Sequence, residues 1–233
     1  MFKELIKELN KEARPQKAKD LAWYFKTGPG EYGEGDAFLG ITVPIQRKIA
    51  KKYTNLSLSD IQRLLDSKYH EHRLTALLIL VDKYENARED IKKKIVDFYL
   101  LAAKRGRINN WDLVDLSAPK IVGNYLLDRE VKILYNLAKS ENLWERRITV
   151  LSTFSFIKEK KYNESLKLAR VLISDKEDLI HKAVGWMLRE IGKRNKKEEI
   201  NFLNKYYKKM PRVMLRYAIE KLNKKERLKY LEK

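Results

Sequence analysis

Residues 146–151 read RRITVL, and other parts of the chain repeat this short stretch. Residues 72–77 read HRLTAL, and weaker copies stand at 181–185 and 215–219, each a basic residue followed by small and apolar ones. One basic residue of each copy is taken as equivalent: Arg73, Arg147, Lys182 and Arg216. Their separations are 74, 35 and 34 residues, and 74 is twice 37. The sequence therefore contains an internal repeat with a period in the middle to upper thirties.

A period of this length with two helices per unit is typical of α-solenoids of the HEAT or armadillo kind. Helical periodicity runs along the chain, and no segment shows the sustained alternation of a β-strand. We predict an all-α fold, an α-solenoid of HEAT-like antiparallel helix pairs, forming a single domain over residues 1–233. The pattern is degenerate, so an irregular helical bundle stays open as the alternative.

A solenoid changes the meaning of a repeated basic residue. Equivalent positions of successive repeats line up on one surface, often the concave one. Taken alone, each of the four residues is an ordinary solvated helix residue. Together, Arg73, Arg147, Lys182 and Arg216 predict a basic stripe on the concave face of a curved array.

The composition favours a polyanionic partner. The 233 residues contain 51 Lys and Arg against 32 Asp and Glu, a net charge of +19, which attracts nucleic acid above all. An anionic membrane surface would also require an apolar anchor, and no stretch of 18 apolar residues exists. The charged N-terminus is unlike a signal peptide. We expect a cytoplasmic protein, associated with the nucleoid through DNA.

The sequence holds no cysteine and only three histidines. The absence of cysteine excludes disulfides, thiolate metal sites and cysteine nucleophiles. The three histidines argue against a histidine-rich metal centre. We therefore expect no metal and no cofactor.

Residues 109–115 read NNWDLVD and contain the candidate residues for binding a cation. An asparagine pair is a good helix start, because its side-chain oxygen can accept from free amides of the first turn. Trp111 and Asp115 are then one helical turn apart on the same face. A carboxylate beside an indole is a poor core pair but a good site for a cation. Asp112 lies in the first turn, where a negative charge suits the helix dipole, and we interpret it as structural.

The other tryptophans receive different interpretations. Trp186 shares a helix face with Lys182 and Arg189 through helical spacing. Trp144 is interpreted as a packing residue, and Trp23 as part of the core. Gly185 lies within the same predicted helix as Trp186, which indicates a close approach either by another helix or by a ligand.

Residues 27–40 are rich in glycine and form a predicted loop. The loop lacks the GxxxxGK[ST] pattern and contains acidic residues that repel phosphate, so a structural connector is favoured. Pro44 opens the next helix, which carries Arg47.

Four strings look like a known family: INNWDLVD, WERRITVLSTF, HKAVGWMLREIGK and MLRYAIEKL. In this order, and together with GEGDAFLGITVP, they resemble the DNA alkylation repair family, the HEAT-repeat 3-methyladenine and 7-alkylguanine DNA glycosylases. The resemblance covers nearly the whole chain. It implies an array of helical repeats whose concave basic surface holds duplex DNA, and hydrolysis of the N-glycosidic bond of N3- and N7-alkylated purines.

The resemblance also implies roles for individual residues. Asp115 matches the catalytic aspartate, Trp111 the aromatic residue before it, and Trp186 the second tryptophan of the active site. Arg147 matches the arginine that grips the backbone at the lesion. Arg189 and Arg47 match further backbone contacts. Two departures concern Thr42-Val43, where the family is often more polar, and Ser155, where some members carry lysine.

The chemistry agrees with these roles. An N3- or N7-alkylpurine is cationic and leaves without a general acid, so the enzyme needs to stabilise an oxocarbenium-like sugar and direct water to it. One carboxylate does so electrostatically, and indole faces add cation–π stabilisation. We therefore predict a monofunctional, monomeric DNA glycosylase acting on alkylated duplex DNA. The alternatives are a non-catalytic protein of this family that binds bent or branched DNA, and a scaffold for an acidic protein.

Overall fold

The computed structural model describes residues 1–232, and the chain there is built of helices joined by short turns. Its described part contains no β-strand; a lone bridge joins Ala37 to Tyr69. None of the helices in residues 1–232 combines the length and the apolar character needed to cross a membrane. The chain divides into two compact units, of which the first ends at Ser117 and the second begins at Ala118.

The first unit contains six complete helices and nearly all of a seventh among its described residues. They are α1 (Phe2–Lys11), α2 (Pro15–Tyr24), α3 (Val43–Ala50), α4 (Leu58–Leu65), α5 (His70–Glu85), α6 (Glu89–Lys104) and α7 (Trp111–Ala118). Both α3 and α4 pack against α5, whose Leu74, Leu77 and Leu80 are buried. The core of this unit therefore surrounds α5.

The predicted glycine-rich loop connects α2 to α3. The Glu71 carboxylate of α5 is buried and accepts hydrogen bonds from the backbone amides of Leu39, Gly40 and Ile41, at 2.9, 2.8 and 3.2 Å. Three amide donors compensate the charge of a carboxylate that would otherwise be costly to bury. The structure thus ties the loop to α5 through a single side chain.

The second unit continues the succession of helices. A π-helical turn (Pro119–Gly123) leads into α8 (Asn124–Leu126), α9 (Lys132–Leu137), α10 (Leu143–Lys158), α11 (Asn163–Val171), α12 (Asp178–Gly192), α13 (Lys196–Tyr206), α14 (Arg212–Ala218) and α15 (Lys224–Leu231), with 3₁₀ turns at Tyr207–Lys209 and Ile219–Lys221. The Ser155 hydroxyl donates to the Pro119 carbonyl at 2.7 Å. Ser155 therefore has a structural role at the π-helical turn.

The second unit shows the predicted repeat directly. The helices α10, α12 and α14 pack in succession and begin at Leu143, Asp178 and Arg212, which are 35 and 34 residues apart. Another helix precedes each of them: α9, α11 and α13. Arg147, Lys182 and Arg216 each occupy the fifth position of their helix. The prediction of an all-α, helical-repeat fold is confirmed, whereas the single domain over residues 1–233 stays a prediction.

Gly185 allows α12 and α14 to approach closely. A Cβ atom added at Gly185 would collide with the backbone carbonyl of Met214 and lie 2.6 Å from Cβ of Tyr217. Of the two interpretations left open for Gly185, the structure supports the approach of a neighbouring helix.

Trp144 and Trp23 were both predicted to pack in the interior, and the structure confirms this for Trp144 alone. Trp144 is buried, which confirms its interpretation as a packing residue. Trp23 is 84% exposed, so its assignment to the core is wrong. The sequence around Trp23 is locally apolar, yet α2 has no buried residue.

Candidate functional site

The first candidate site lies at the start of α7. The Asn110 side chain accepts from the backbone amide of Trp111 at 2.8 Å, and its carbonyl accepts from Val114 at 3.2 Å. Asn110 therefore caps the helix, as its position ahead of Trp111 predicts. Trp111 and Asp115 follow one turn apart, and both side chains are partly exposed. We call Trp111 and Asp115 the α7 pair.

Aromatic rings support Trp111 from within the first unit. The Trp111 ring stacks on Phe25, with centroids 5.1 Å apart and planes 13° apart. Phe25 in turn stacks on Phe38 at 5.2 Å, and Phe38 stacks on His70 at 4.8 Å. The Tyr24 ring meets Trp111 edge-on at 6.0 Å. These contacts cover one face of the indole and restrict its orientation.

A buried cluster of charges lies behind this aromatic stack. His70 contacts Asp36 through Nδ1 at 3.1 Å and Asp112 through Nε2 at 2.9 Å. Arg73 pairs with the same Asp36 carboxylate at 2.6 Å. All four side chains are almost completely buried. We call Asp36, His70, Arg73 and Asp112 the buried charge cluster.

The cluster holds His70 as an imidazolium. Burial lowers the pKa of His70, but the charge and hydrogen bond of Asp112, with the hydrogen bond of Asp36, outweigh burial and raise the pKa to about 9. Burial also raises the pKa of Asp36, while hydrogen bonds from His70 and Arg73 bring it below its usual value. Both ring nitrogens of His70 therefore donate at neutral pH.

Asp112 connects the cluster to α7. One of its oxygens accepts from His70, and the other accepts from the backbone amide of Leu113 at 2.8 Å. The carboxylate thus fixes the first turn of the helix that carries the α7 pair. This placement agrees with the structural interpretation of Asp112.

Arg73 requires a correction. The repeat pattern predicts it as an exposed member of the basic stripe, but its side chain is buried and pairs with Asp36. The prediction that Arg73 is exposed is wrong, because Asp36 of the glycine-rich loop lies in the interior beside the Arg73 guanidinium. A buried arginine without that partner would carry an uncompensated charge. We therefore do not propose Arg73 as a DNA contact.

Asp115 lies near a buried hydroxyl network. The Tyr99 hydroxyl is 2.9 Å from Ser117 Oγ, and burial raises the pKa of Tyr99, with a further contribution from the charge of Asp115. Asp115 itself is partly exposed. Its carboxylate is therefore held close to the core and remains accessible from solvent.

Arg47 lies on α3 and is exposed. Thr42, the residue before α3, and Val43, its first residue, are partly exposed. The exposure of Arg47 is compatible with its predicted contact to a DNA backbone, which stays a prediction.

The second candidate site is one face of α12 in the second unit, formed by Lys182, Trp186 and Arg189. We call these residues the α12 face. The Trp186 indole is partly exposed and donates through Nε1 to Glu190 at 3.3 Å. Burial raises the pKa of Glu190, but hydrogen bonds from Lys193 and Arg194 outweigh it and lower the pKa. Glu190 is thus a stable carboxylate that orients the indole.

The cations of the α12 face have intramolecular partners. Lys182 pairs with Asp178 at 2.6 Å, and both side chains are substantially exposed. Arg189 pairs with Glu220, which is itself exposed. Arg216, on α14, is exposed. The exposed Lys182–Asp178 pair contributes little to stability, about 0–1 kcal/mol, so a phosphate can displace Asp178 at little cost.

Arg147 differs from the other basic residues of the second unit. Its side chain is 5% exposed, and its guanidinium donates to the backbone carbonyl of Leu179 in α12. Arg147 therefore connects α10 to the first turn of the helix that carries Trp186. Its predicted grip on the DNA backbone stays a prediction.

The residues that support Trp111 of the α7 pair are not predicted from the sequence. From the sequence, the histidines are weighed only as metal ligands, Asp36 and Phe38 lie in the predicted connector, and Phe25 has no predicted role. A signal existed in the glycine-rich loop, where an acidic residue and a phenylalanine stand close together. It could not be recognised without knowing that the loop packs on α5.

Comparisons with known proteins agree with the all-α helical-repeat fold. The family model for DNA alkylation repair enzymes matches residues 5–222, which spans both units. A solved structure described as a predicted DNA alkylation repair enzyme from Enterococcus faecalis matches with a TM-score of 0.70 and 17% identity, covering 91% of this chain and 98% of that one. No curated protein matches the sequence.

The chain belongs to the DNA alkylation repair enzyme family, since the family model covers nearly all of it. The similar structure supports the fold alone at this level of identity.

Proposed function

We propose that this protein is a DNA glycosylase that removes cationic N3- and N7-alkylated purines from duplex DNA. The observation that carries the proposal is the α7 pair: a partly exposed carboxylate one turn from an indole that is stacked on Phe25. Membership of the DNA alkylation repair enzyme family supports a DNA substrate.

The reaction follows from the charge of the substrate. The bond between the sugar C1′ and the purine nitrogen breaks with its electron pair going to the purine, which leaves as a neutral alkylated base. Positive charge develops on the sugar, and the Asp115 carboxylate stabilises it electrostatically. Water attacks C1′, and its proton passes to Asp115 and then to solvent. The exposed indole face of Trp111 adds cation–π stabilisation.

The other predicted residues receive roles in binding. Trp186 contacts the lesion nucleotide through its partly exposed ring, held by Glu190. Exposed or partly exposed cations contact phosphates: Arg47, Lys182, Arg189 and Arg216. Arg189 exchanges Glu220 for a phosphate, because a phosphate offers the guanidinium a similar pair of acceptor oxygens. Arg147 positions α12 and reaches DNA only if its contact with Leu179 is exchanged.

The test is release of 7-methylguanine from methylated duplex DNA by the purified full chain. Wild-type protein should release the base faster than spontaneous depurination. The Asp115→Asn variant should lose release by at least about a hundredfold, as expected when a preorganised group that stabilises transition-state charge is removed. Its affinity for duplex DNA should stay within about twofold.

Asp128→Asn is the matched control, because Asp128 is an exposed carboxylate outside α7 and pairs with Lys161 in the second unit. It should leave release unchanged. If the wild-type protein releases no base above the spontaneous rate, the glycosylase proposal fails. DNA binding without release, especially with preference for junctions over linear duplexes, would instead identify a non-catalytic member of the family.

A further inference from the structure

Helix α2 exposes two aromatic side chains, Trp23 and Tyr24, to solvent. None of its residues is buried; Trp23 is 84% exposed, and Tyr24 is 57% exposed. An exposed indole of this kind is uncommon on a surface that contacts only water, and contiguous apolar patches mark interaction sites. The depression beside these rings is lined by Lys17, Lys19, Asp20, Leu21, Trp23 and Tyr24.

The charge around Trp23 is mainly positive. Lys19 lies four residues before Trp23, so both share one face of α2. Lys17 and Lys26 are exposed nearby in sequence. The opposing charge is Asp20, which accepts from the Gln16 amide at 3.4 Å. Cations combined with an exposed aromatic ring are the pattern of proteins that bind unpaired nucleotides.

The patch is continuous with the α7 pair. Tyr24, the residue next to Trp23, meets the Trp111 ring edge-on at 6.0 Å. A nucleic acid strand whose sugar lies at Asp115 therefore has α2 beside it, within the same unit.

We propose that Trp23 stacks on an unpaired nucleobase of the DNA bound at the α7 pair, while Lys19 contacts an adjacent phosphate. The proposal rests on the proposed function, since it requires DNA at α7. Stacking on an indole is tolerant of base identity because every base has a π-face. Trp23 thus stabilises DNA in which a base has lost its partner, whatever that base is.

A nucleobase fits this patch better than a protein partner. Lys17 and Lys19 line the depression beside Trp23 on a chain of net charge +19, and a nucleic acid strand supplies both a planar base and negative charge. A second copy of this chain would bring the same lysines against one another and be repelled.

The experiment measures equilibrium binding of the full chain by fluorescence anisotropy. One duplex contains a tetrahydrofuran abasic analogue, which leaves the opposite base unpaired, and the other is fully paired with the same length. Trp23→Ala should weaken binding to the abasic duplex by about tenfold and to the paired duplex by less than twofold, since the loss of one stacked base is confined to the former. Trp23→Phe should restore most of the affinity.

Leu228→Ala is the control, because Leu228 is an exposed apolar residue on α15. It should bind both duplexes like the wild type. Equal weakening for both duplexes, or none, would overturn the proposal. Sedimentation in which the wild type self-associates and Trp23→Ala does not would overturn it too, by assigning the patch to a second copy. Binding requires no catalysis, so these outcomes are separate from base release.

Discussion

At the scale of single residues, the unusual feature is an imidazolium buried between two carboxylates. His70 bridges Asp36 and Asp112, and Arg73 supplies a second positive charge. The formal charges of the four side chains cancel, which makes their burial tolerable. Replacing His70, Asp36 or Asp112 with an uncharged residue leaves an uncompensated charge in the interior.

The first prediction concerns His70 and pH. Its folded pKa of about 9 lies above the usual 6.5, so its stabilisation is complete below pH 6.5 and is lost as pH rises through 9. The free energy of unfolding should fall by about 3 kcal/mol between these limits. Urea titrations at intervals between pH 7 and 9.5 measure the decline.

His70→Gln is the control for this decline. The variant should be less stable at pH 7 and should lose most of the slope between pH 7 and 9.5. The buried Glu199, whose pKa burial raises to about 7, titrates mainly below this window and is shared by both proteins. An identical slope in wild type and variant would contradict the assignment to His70.

A second prediction at this scale concerns Glu220. Its carboxylate pairs with Arg189 and occupies the guanidinium that we assign to a phosphate. Glu220→Gln removes this competing anion, so affinity for duplex DNA should rise by about twofold to fivefold, in keeping with a partly exposed ion pair of up to about 1 kcal/mol. Anisotropy at fixed salt checks the change.

Glu232→Gln removes one negative charge elsewhere on the surface and controls for net charge. Combining Glu220→Gln with Arg189→Ala should abolish the gain. An equal gain from both single variants would show that only overall charge matters.

At the scale of helices, α12 and α14 approach so closely that residue 185 has no room for a side chain. Gly185→Ala gains about 1 kcal/mol of helix propensity, while overpacking against a backbone carbonyl costs about 1–3 kcal/mol. We expect net destabilisation, seen as a lower denaturation midpoint with an unchanged slope against denaturant.

Gly28→Ala is the matched change, because the added Cβ meets only the flexible Glu31 side chain at 3.0 Å. Its denaturation midpoint should stay near that of the wild type. A Gly185→Ala protein as stable as the wild type would mean that α14 can move away without loss of packing.

At the scale of helices, regular spacing could be predicted from the sequence, whereas burial of individual side chains could not. The spacing of Arg147, Lys182 and Arg216 predicted the repeat correctly, because one position in a helix pair returns at a fixed interval. The spacing of Trp111 and Asp115 predicted their common helix for a similar local reason. Arg73 and Trp23 were misplaced because burial depends on partners distant in sequence: a carboxylate 37 residues away for Arg73, and the lack of any covering element for Trp23.

At the scale of the whole molecule, the net charge of +19 predicts strong salt dependence of DNA binding. On fully paired duplex DNA, where Trp23 and Lys19 have no unpaired base beside them, the proposed function assigns four exposed or partly exposed cations to phosphates: Arg47, Lys182, Arg189 and Arg216. The logarithm of the binding constant should therefore fall against the logarithm of salt with a slope of about −4. Arg216→Ala should reduce the magnitude of this slope by about 1.

Arg63→Ala tests whether charge alone explains the slope, since Arg63 is an exposed arginine paired with Asp60 on α4. It should leave the slope nearly unchanged. If both variants reduce the slope equally, DNA contacts are spread over the surface and the assignment to four residues fails. The predicted curvature and concave basic face remain predictions.

The buried Glu71 has a consequence for proteolysis. Its carboxylate depends on amides of residues 39–41, so these residues are folding partners of α5. A protease that cuts within residues 27–36 and releases the N-terminal fragment would remove Phe25, which stacks on Trp111 and Phe38, and Arg14, whose backbone amide donates to the Leu39 carbonyl. Cleavage there should expose α5 to further digestion, so that the first unit disappears without a stable intermediate.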